Sequence, residues 1–100
     1  MKAIWNGKTI AEADKDDLIY IEGNWYFPPS SVNHDYLRSS DTPYTCPWKG
    51  ECRYFDVGEG DNYSKDSAFC YPEPKPSAIE KVKKDFSGYF AFWQDVQVTE

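Results

Sequence analysis

A chain of 100 residues with a net charge of −6 has room for one hydrophobic core, so we expect a single domain spanning residues 1–100. Its 17 acidic residues outnumber its 11 basic ones, which argues against nucleic-acid binding because phosphate neutralisation needs a cluster of lysines and arginines. No apolar run approaches the roughly 20 residues of a membrane span, so a membrane protein is not expected either.

The cysteine pattern predicts thiols rather than disulfides. The number of cysteines is odd, since there are three: Cys46, Cys52 and Cys70. The segment Met1–Gly7 lacks the apolar core of a signal peptide, so we expect a cytoplasmic protein, in which cysteines remain reduced. With one histidine and no Cys-x-x-Cys pair, a zinc site lacks ligands at the usual spacing, and no cofactor is expected. The aromatic residues serve mainly as core, although tyrosine and tryptophan also occur at pocket rims.

Turn signals in the first half of the chain predict a meander of short strands. Asn6-Gly7 is a strong hairpin signal, because both central residues of a type I′ turn need positive φ. Further strands are predicted at 18–22 and 25–27, where β-branched and aromatic residues lie between turn residues. Residues 39–43 are predicted to form a loop.

The second half predicts a longer hairpin, a return strand and one helix. Strands are predicted at 44–46, 51–57, 63–71 and 89–93, with a polar edge or tail over 94–100. After a proline-rich linker, Ser77 and Glu80 form a capping box, which predicts a short helix over residues 77–86. The expected fold class is therefore mainly β (α+β), with antiparallel strands and one short C-terminal helix.

The segment Thr45–Gly50 is predicted to be the tip of the longer hairpin. Its four loop residues, Pro47 to Gly50, suit a type I turn, with proline at a fixed φ and glycine at a final position with positive φ. Cys46 would then pair with Glu51, and Thr45 with Cys52. Because this register places the two cysteines on opposite faces, a disulfide between them is disfavoured.

Three side chains of this tip are candidates for a site. Lys49 could favour the thiolate of Cys46, or it could bind an anionic group. Trp48 either folds back onto the sheet or lines a ligand site. Neither residue need be functional: Cys46 could simply be a small buried residue, and Lys49 a solvated charge on the loop.

A longer set of residues resembles one known family. The tip sequence, Tyr26-Phe27-Pro28 and Tyr71-Pro72-Glu73-Pro74 are similar to the family named domain of unknown function 427, and the similarity covers nearly the whole chain. The resemblance implies a β-tent related to the Mss4-like group, with sheets over a central cleft, although the zinc-binding cysteine pairs of that group are missing. The family also carries a nucleotidyltransferase label, but this sequence shows no triad of metal-binding carboxylates for that chemistry. The residues that match the family motif, and so inherit the site hypothesis, are Cys46, Trp48, Lys49, Tyr54, Asp66 and Tyr71.

Three functions remain open at this point. The first is a binding domain for a small ligand or a peptide end, with an aromatic cleft and polar contacts. Its ligand-binding residues would be Tyr26, Trp48, Lys49, Tyr54, Asp66 and Tyr71. The second is an enzyme that uses Cys46 as a nucleophile or redox thiol, assisted by Lys49. The third is a protein-interaction or homodimerisation module that presents exposed aromatic residues.

Overall fold

Nine strands and one short α-helix make up the fold, and the strands form three antiparallel sheets. The computed structural model describes residues 1–100. In chain order the elements are β1 (Lys2–Trp5), β2 (Lys8–Glu12), β3 (Ile19–Ile21), β4 (Asn24–Tyr26), β5 (Leu37–Cys46), β6 (Gly50–Glu59), β7 (Asn62–Cys70), α1 (Pro76–Val82), β8 (Phe90–Phe92) and β9 (Gln97–Thr99). The predicted fold class, mainly β with one short helix, is confirmed. No helix has the length and apolar character that a membrane crossing requires.

Both small hairpins turn on two residues with positive φ, as type I′ turns require. In the first, β1 and β2 meet at Asn6 and Gly7, with φ of 49° and 77°, and β9 pairs with the other edge of β1. In the second, β3 and β4 meet at Glu22 and Gly23, with φ of 50° and 85°. The predicted Asn6-Gly7 hairpin is confirmed, and the polar segment 94–100 contributes the edge strand β9.

The largest sheet has the strand order β5-β6-β7-β8 and is buried by a different cluster on each face. Side chains alternate between the faces of a strand, so Ala68 and Cys70 lie in the first cluster while Phe69 and Tyr71 lie in the second. The first cluster includes the buried side chains of the three-stranded sheet. The second includes the β3–β4 hairpin and α1, and it contains most of the candidate site residues.

The long β5–β6 hairpin differs from its predicted register by one residue. Cys46 pairs with Gly50 rather than Glu51, and Thr45 pairs with Glu51 rather than Cys52, so the loop has three residues instead of four. Gly50 takes a φ of 116°, which is open to glycine, and begins β6 instead of ending the turn. Because side chains alternate along a strand, this shift turns Cys46 and Cys52 to the same face, and the prediction of opposite faces is wrong.

Residues 39–43 belong to β5, so the prediction of a loop there is wrong. Ser39 pairs with Phe55 and Pro43 pairs with Arg53, which leaves three residues of β5 opposite Tyr54. Such a bulge allows a strand to continue past a proline, whose nitrogen has no hydrogen to donate. The polar residues and the proline of segment 39–43 are typical of a loop, and for this reason the sequence did not predict that the segment belongs to the edge strand β5.

Helix α1 begins one residue earlier than predicted and ends sooner. Pro76 occupies the first helical position after Lys75, where a missing N–H costs nothing, and no side-chain cap forms at the helix start. The prediction of a capping box formed by Ser77 and Glu80 is therefore wrong. The helix ends at Val82, ahead of residue 86, because Lys83 adopts the left-handed conformation with a φ of 69°.

Candidate functional site

The hairpin tip is held against the proline-rich segment that precedes α1. The backbone N–H of Lys75 donates to the carbonyl of Lys49 over 2.9 Å, and the Lys75 ammonium donates to the carbonyl of Pro47 over 2.8 Å. Gly50 adopts a φ of 116°, a conformation that side chains rarely take, while a Cβ added there would only come into ordinary contact with the carbonyl oxygen of Glu73, at 3.4 Å. The tip is therefore a fixed part of the structure rather than a loose loop.

The ammonium of Lys49 is buried at this tip. Its side chain is 8% exposed, and its ionic partner is Glu22, with 2.5 Å between Lys49 Nζ and Glu22 Oε1. The ring centroids of Tyr71 and Trp48 lie 5.0 and 5.2 Å from the same nitrogen, within the range of cation–π attraction. Such compensation is needed because taking an ammonium out of water is costly. The alternative of a solvated loop charge for Lys49 is therefore wrong.

Glu22 reaches Lys49 from the turn of the neighbouring β3–β4 hairpin. Its φ of 50° is uncommon for a residue with a side chain, and its carboxylate is 54% exposed. Trp48 Nε1 also points at this carboxylate, 3.4 Å from Oε2. The hydrogen bond from Lys49 lowers the pKa of Glu22 against the opposing effect of desolvation, and the charges of Lys49 and Lys81 add to the lowering. Two donors and a further cation thus converge on one carboxylate that solvent can reach.

Trp48 is partly buried between the two lysines. Lys81 Nζ lies 4.5 Å from the centroid of its ring, and the ring packs against the second cluster. The indole therefore folds back onto the structure while one part of it still faces solvent. Of the two alternatives that the sequence left open, the structure shows the first, an indole that folds back onto the sheet; a place for Trp48 in a ligand site stays a prediction.

The second cluster is strongly aromatic. Neighbouring rings of Tyr26, Phe69, Tyr71 and Phe86 meet edge to face, with centroids 6.0 to 6.4 Å apart. Tyr26 is fully buried, and its hydroxyl has no hydrogen-bond partner. Burial raises the pKa of both Tyr26 and Tyr71 well above the ordinary value for tyrosine. Both hydroxyls therefore stay protonated at neutral pH.

Cys46 and Cys52 lie in this same cluster, 6% and 4% exposed, and all three cysteines are free. Burial raises the pKa of the Cys52 thiol to about 11, although its hydrogen bond with the Tyr71 hydroxyl acts in the opposite direction. Burial also raises the pKa of the Cys70 thiol to about 11. Cys52 and Cys70 are therefore neutral thiols at physiological pH, and Cys46 is shielded from solvent.

We expect the native thiols to be alkylated much more slowly than free cysteine, because the thiolate is the nucleophile and these side chains are buried. Iodoacetamide labelling followed by mass spectrometry should show rates at Cys52 and Cys70 that rise only as the pH approaches 11. Because these folded pKa values exceed the ordinary value of 9.0, stability should fall as the pH rises from about 9 to about 11. Labelling of Cys46 at the rate of a free thiol would instead support the enzyme hypothesis.

Two of the predicted site residues, Tyr54 and Asp66, lie away from the tip. Tyr54 is four positions beyond Gly50 on β6, which is about 13 Å along a strand. Asp66 lies further along, where its N–H donates to the Asp56 carboxylate over 3.0 Å, at a bulge in β7 that gives it a φ of 55°. The candidates that the structure brings together at the tip are Tyr26, Cys46, Trp48, Lys49 and Tyr71. Tyr54 packs against the far side of the same cluster, with its ring centroid 6.0 Å from that of Phe69.

Sequence reasoning missed the two charged partners of the tip, Glu22 and Lys81. For Glu22 the available signal is its place beside Gly23 between two β-rich runs, which marks a two-residue turn but names no partner. Lys81 lies in a mixed run of charges on and after α1, which by itself indicates a solvated helix face. Both contacts depend on how the two hairpins and the helix pack.

Fold and site together define a small antiparallel β protein with a buried lysine at a hairpin tip, covered by a carboxylate from the next hairpin. Over residues 1–100 the chain matches the family described as Domain of unknown function (DUF427), and it belongs to that family. The resemblance carried by the tip motif is thereby confirmed. No curated protein matches the chain.

Proposed function

We propose that the chain is a binding domain for ligands with a free carboxylate, either a small organic acid or a peptide C-terminus. The observation that supports this most strongly is the position of Glu22, whose largely exposed carboxylate covers the buried ammonium of Lys49 from the solvent side. In this proposal a ligand carboxylate takes the place of Glu22 at Lys49 Nζ. In the absence of ligand, the Glu22 carboxylate therefore occupies the position that the ligand carboxylate would take.

The chemistry of the site favours an exchange of one carboxylate for another. A buried ammonium left without a counter-ion costs several kcal/mol, so the site always needs an anion, but not a particular one. Trp48 Nε1 supplies a second donor and Lys81 a further positive charge beside Glu22. Glu22 loses little when displaced, because water can solvate its exposed carboxylate.

The body of such a ligand would lie on Trp48, whose ring is the partly exposed apolar surface next to the lysine. Tyr26, Cys46 and Tyr71 would support Lys49 from inside the second cluster rather than contact the ligand. Tyr54 packs against the same cluster but four residues beyond Gly50 on β6, and Asp66 lies at the bulge in β7, so neither is proposed as a ligand contact. The proposed contacts are therefore Lys49, Trp48 and Lys81.

The finer description of the fold and its compartment belongs to the same proposal. We infer that the sheets form a β-tent of the Mss4-like kind, with the carboxylate site at the edge of its cleft. The pairing of Glu22 on the β3–β4 hairpin with Lys49 on the largest hairpin supports this inference. A cytoplasmic location is supported by three unpaired cysteines, which suit a reducing compartment.

The test is the effect of carboxylates on thermal unfolding in wild type and in Glu22→Ala. Acetate at about ten times its dissociation constant should stabilise Glu22→Ala by about 1.4 kcal/mol, a rise of about 6 to 11 °C in Tm. Wild type should respond far less, since Glu22 competes for the same ammonium. A tripeptide with a free C-terminus and its C-terminal amide distinguish a peptide end from a small acid.

Lys49→Met is the matched control, because it keeps an unbranched side chain and removes the charge. In the double variant Glu22→Ala/Lys49→Met the stabilisation by acetate should disappear while the fold is retained. Equal responses of wild type and Glu22→Ala would contradict the proposal. So would a response that persists without the Lys49 ammonium.

A further inference from the structure

Two ammonium groups lie against the indole ring of Trp48. Lys49 Nζ is 5.2 Å from the ring centroid, and Lys81 Nζ is 4.5 Å from it. Both distances are within the range of cation–π attraction, and they place the two charges no more than about 10 Å apart. Like charges at such a distance repel each other unless anions lie close to them.

Lys81 is held in this position by the packing of α1. Ala78 is buried in the second cluster and Val82 packs against it, so this side of the helix faces that cluster. Lys81 follows Ala78 by three residues, and side chains three apart lie on the same side of a helix. Its ammonium therefore reaches Trp48 from the edge of the packed side of α1 while remaining exposed to solvent.

The two lysines differ in their ionic partners. Lys49 pairs with Glu22, whereas Lys81 takes part in none of the ion pairs of the structure. The Glu22 carboxylate thus carries one negative charge beside two positive charges. One ammonium is left without an ion-pair partner, at the surface of a chain whose net charge is −6.

Exchange of Glu22 for a single carboxylate does not change this balance. A monoanion at Lys49 satisfies the buried ammonium, as Glu22 does, and leaves Lys81 unpaired. A ligand with a second carboxylate can pair with Lys81 as well, so that two anionic groups meet two ammonium groups. The arrangement of charges therefore favours a ligand with two separate carboxylates.

We propose that the ligand of this site is a dicarboxylate, with one carboxylate on Lys49 and the second on Lys81. This inference rests on the proposed function, because it assigns the second anionic group of a ligand whose first carboxylate replaces Glu22. The carbon chain between the two carboxylates lies along the exposed part of the Trp48 indole.

The distance between the two lysines indicates the length of this ligand. A diacid with three methylene groups has its carboxyl carbons about 5 Å apart, and with hydrogen bonds of about 2.8 Å it reaches two ammonium groups about 10 Å apart. Glutarate is such a diacid. A peptide that ends in glutamate carries two carboxylates at the same spacing, so a free acid and a peptide end remain the two sources of this chemistry.

The test compares glutarate with its monomethyl ester in the thermal unfolding of Glu22→Ala at constant ionic strength. The ester keeps the size of the ligand and removes one charge. Glutarate should bind about three to ten times more tightly than the ester. A factor of about two arises because either carboxylate can occupy the position at Lys49, and the ion pair with Lys81 supplies the rest. The dissociation constants follow from the dependence of Tm on ligand concentration.

Lys81→Met in the Glu22→Ala background should lower the ratio between glutarate and its ester to about two. Lys84→Met is the matched control, because it removes the same charge from an exposed side chain that does not lie against Trp48. In this control the ratio should be unchanged. A tripeptide that ends in glutamate distinguishes the two sources, since tighter binding than glutarate identifies a peptide end and weaker binding a free acid.

Three results would overturn the dicarboxylate inference while the proposed function stands. They are a response of Glu22→Ala to acetate with glutarate and its ester binding within about twofold of each other, equal effects of Lys81→Met and Lys84→Met, and tighter binding of methyl phosphate than of glutarate. The last result would assign the site to one doubly charged group instead of two carboxylates. If Glu22→Ala responded to no carboxylate at all, the proposed function itself would fail, and this inference with it.

Discussion

Replacement of Gly58 by alanine is expected to lower the free energy of unfolding by about 3 kcal/mol or more, with a fall of at least roughly 10 °C in Tm. Gly58 is buried in β6 and pairs with Tyr63 near the turn into β7. A Cβ at this position would lie only 2.1 Å from the carbonyl oxygen of Asn62 and 2.6 Å from the Cα of Tyr63. Because both obstacles are backbone atoms, the two strands would have to separate. Thermal and urea unfolding measure the effect.

Gly60→Ala is the control that separates crowding from backbone strain. Gly60 lies on the same turn with a φ of 58°, but a Cβ there meets nothing within 4 Å. Its replacement should cost only about 1 kcal/mol, the ordinary penalty for a positive φ. If the two variants were destabilised equally, close approach of the strands could not be the reason for glycine at position 58.

Replacement of Tyr26 by phenylalanine is expected to raise the free energy of unfolding by about 1 to 2 kcal/mol, and Tm by roughly 5 to 10 °C. The Tyr26 hydroxyl is buried without a hydrogen-bond partner, so the folded state bears the cost of removing it from water. Phenylalanine keeps the edge-to-face contacts with Phe69 and Phe86. Differential scanning calorimetry of the two proteins measures the gain.

Tyr71→Phe provides the matched comparison in the same cluster. The Tyr71 hydroxyl lowers the pKa of the neighbouring Cys52 thiol and, unlike that of Tyr26, is not a buried polar atom left without a partner, so its removal should be neutral or destabilising. A loss of stability in Tyr26→Phe would show that its hydroxyl is satisfied in solution by an ordered water. A gain in both variants would mean that the Tyr71–Cys52 contact contributes nothing.

The sequence predicted correctly those features of the fold that depend only on neighbouring residues within one turn or one strand. Asn6-Gly7 was predictable because the type I′ turn needs positive φ at two adjacent residues, whatever surrounds it. The register of the long hairpin was not predictable in this way. Gly50 suits either the last loop residue or the first residue of the strand, and the backbone hydrogen bond that holds the tip, from Lys75 to the carbonyl of Lys49, comes from a distant segment.

Of the two hairpins that form the site, the sequence predicted only the contribution of the longer one. Trp48 and Lys49 stand out in the sequence because a large aromatic residue and a charge at a hairpin tip need an explanation. Glu22 lies 27 residues away on another hairpin, and no spacing rule connects it with Lys49. The clustering of Cys46 with Cys52 was missed for a related reason, since a register error of one residue reverses the face of every side chain on a strand.

Under the proposed function, the turn that holds Glu22 beside Lys49 would set a threshold concentration for any anion in solution. A carboxylate tethered beside Lys49 acts as a competitor at an effective concentration in the millimolar range or higher, on the order found for short linkers. A ligand that offers only a carboxylate must therefore exceed that concentration to displace it. Glu22 meets Trp48 only at Nε1, so a ligand whose apolar body also lies on the indole ring would gain a contact that Glu22 lacks, and under the proposed function the turn would discriminate against simple anions.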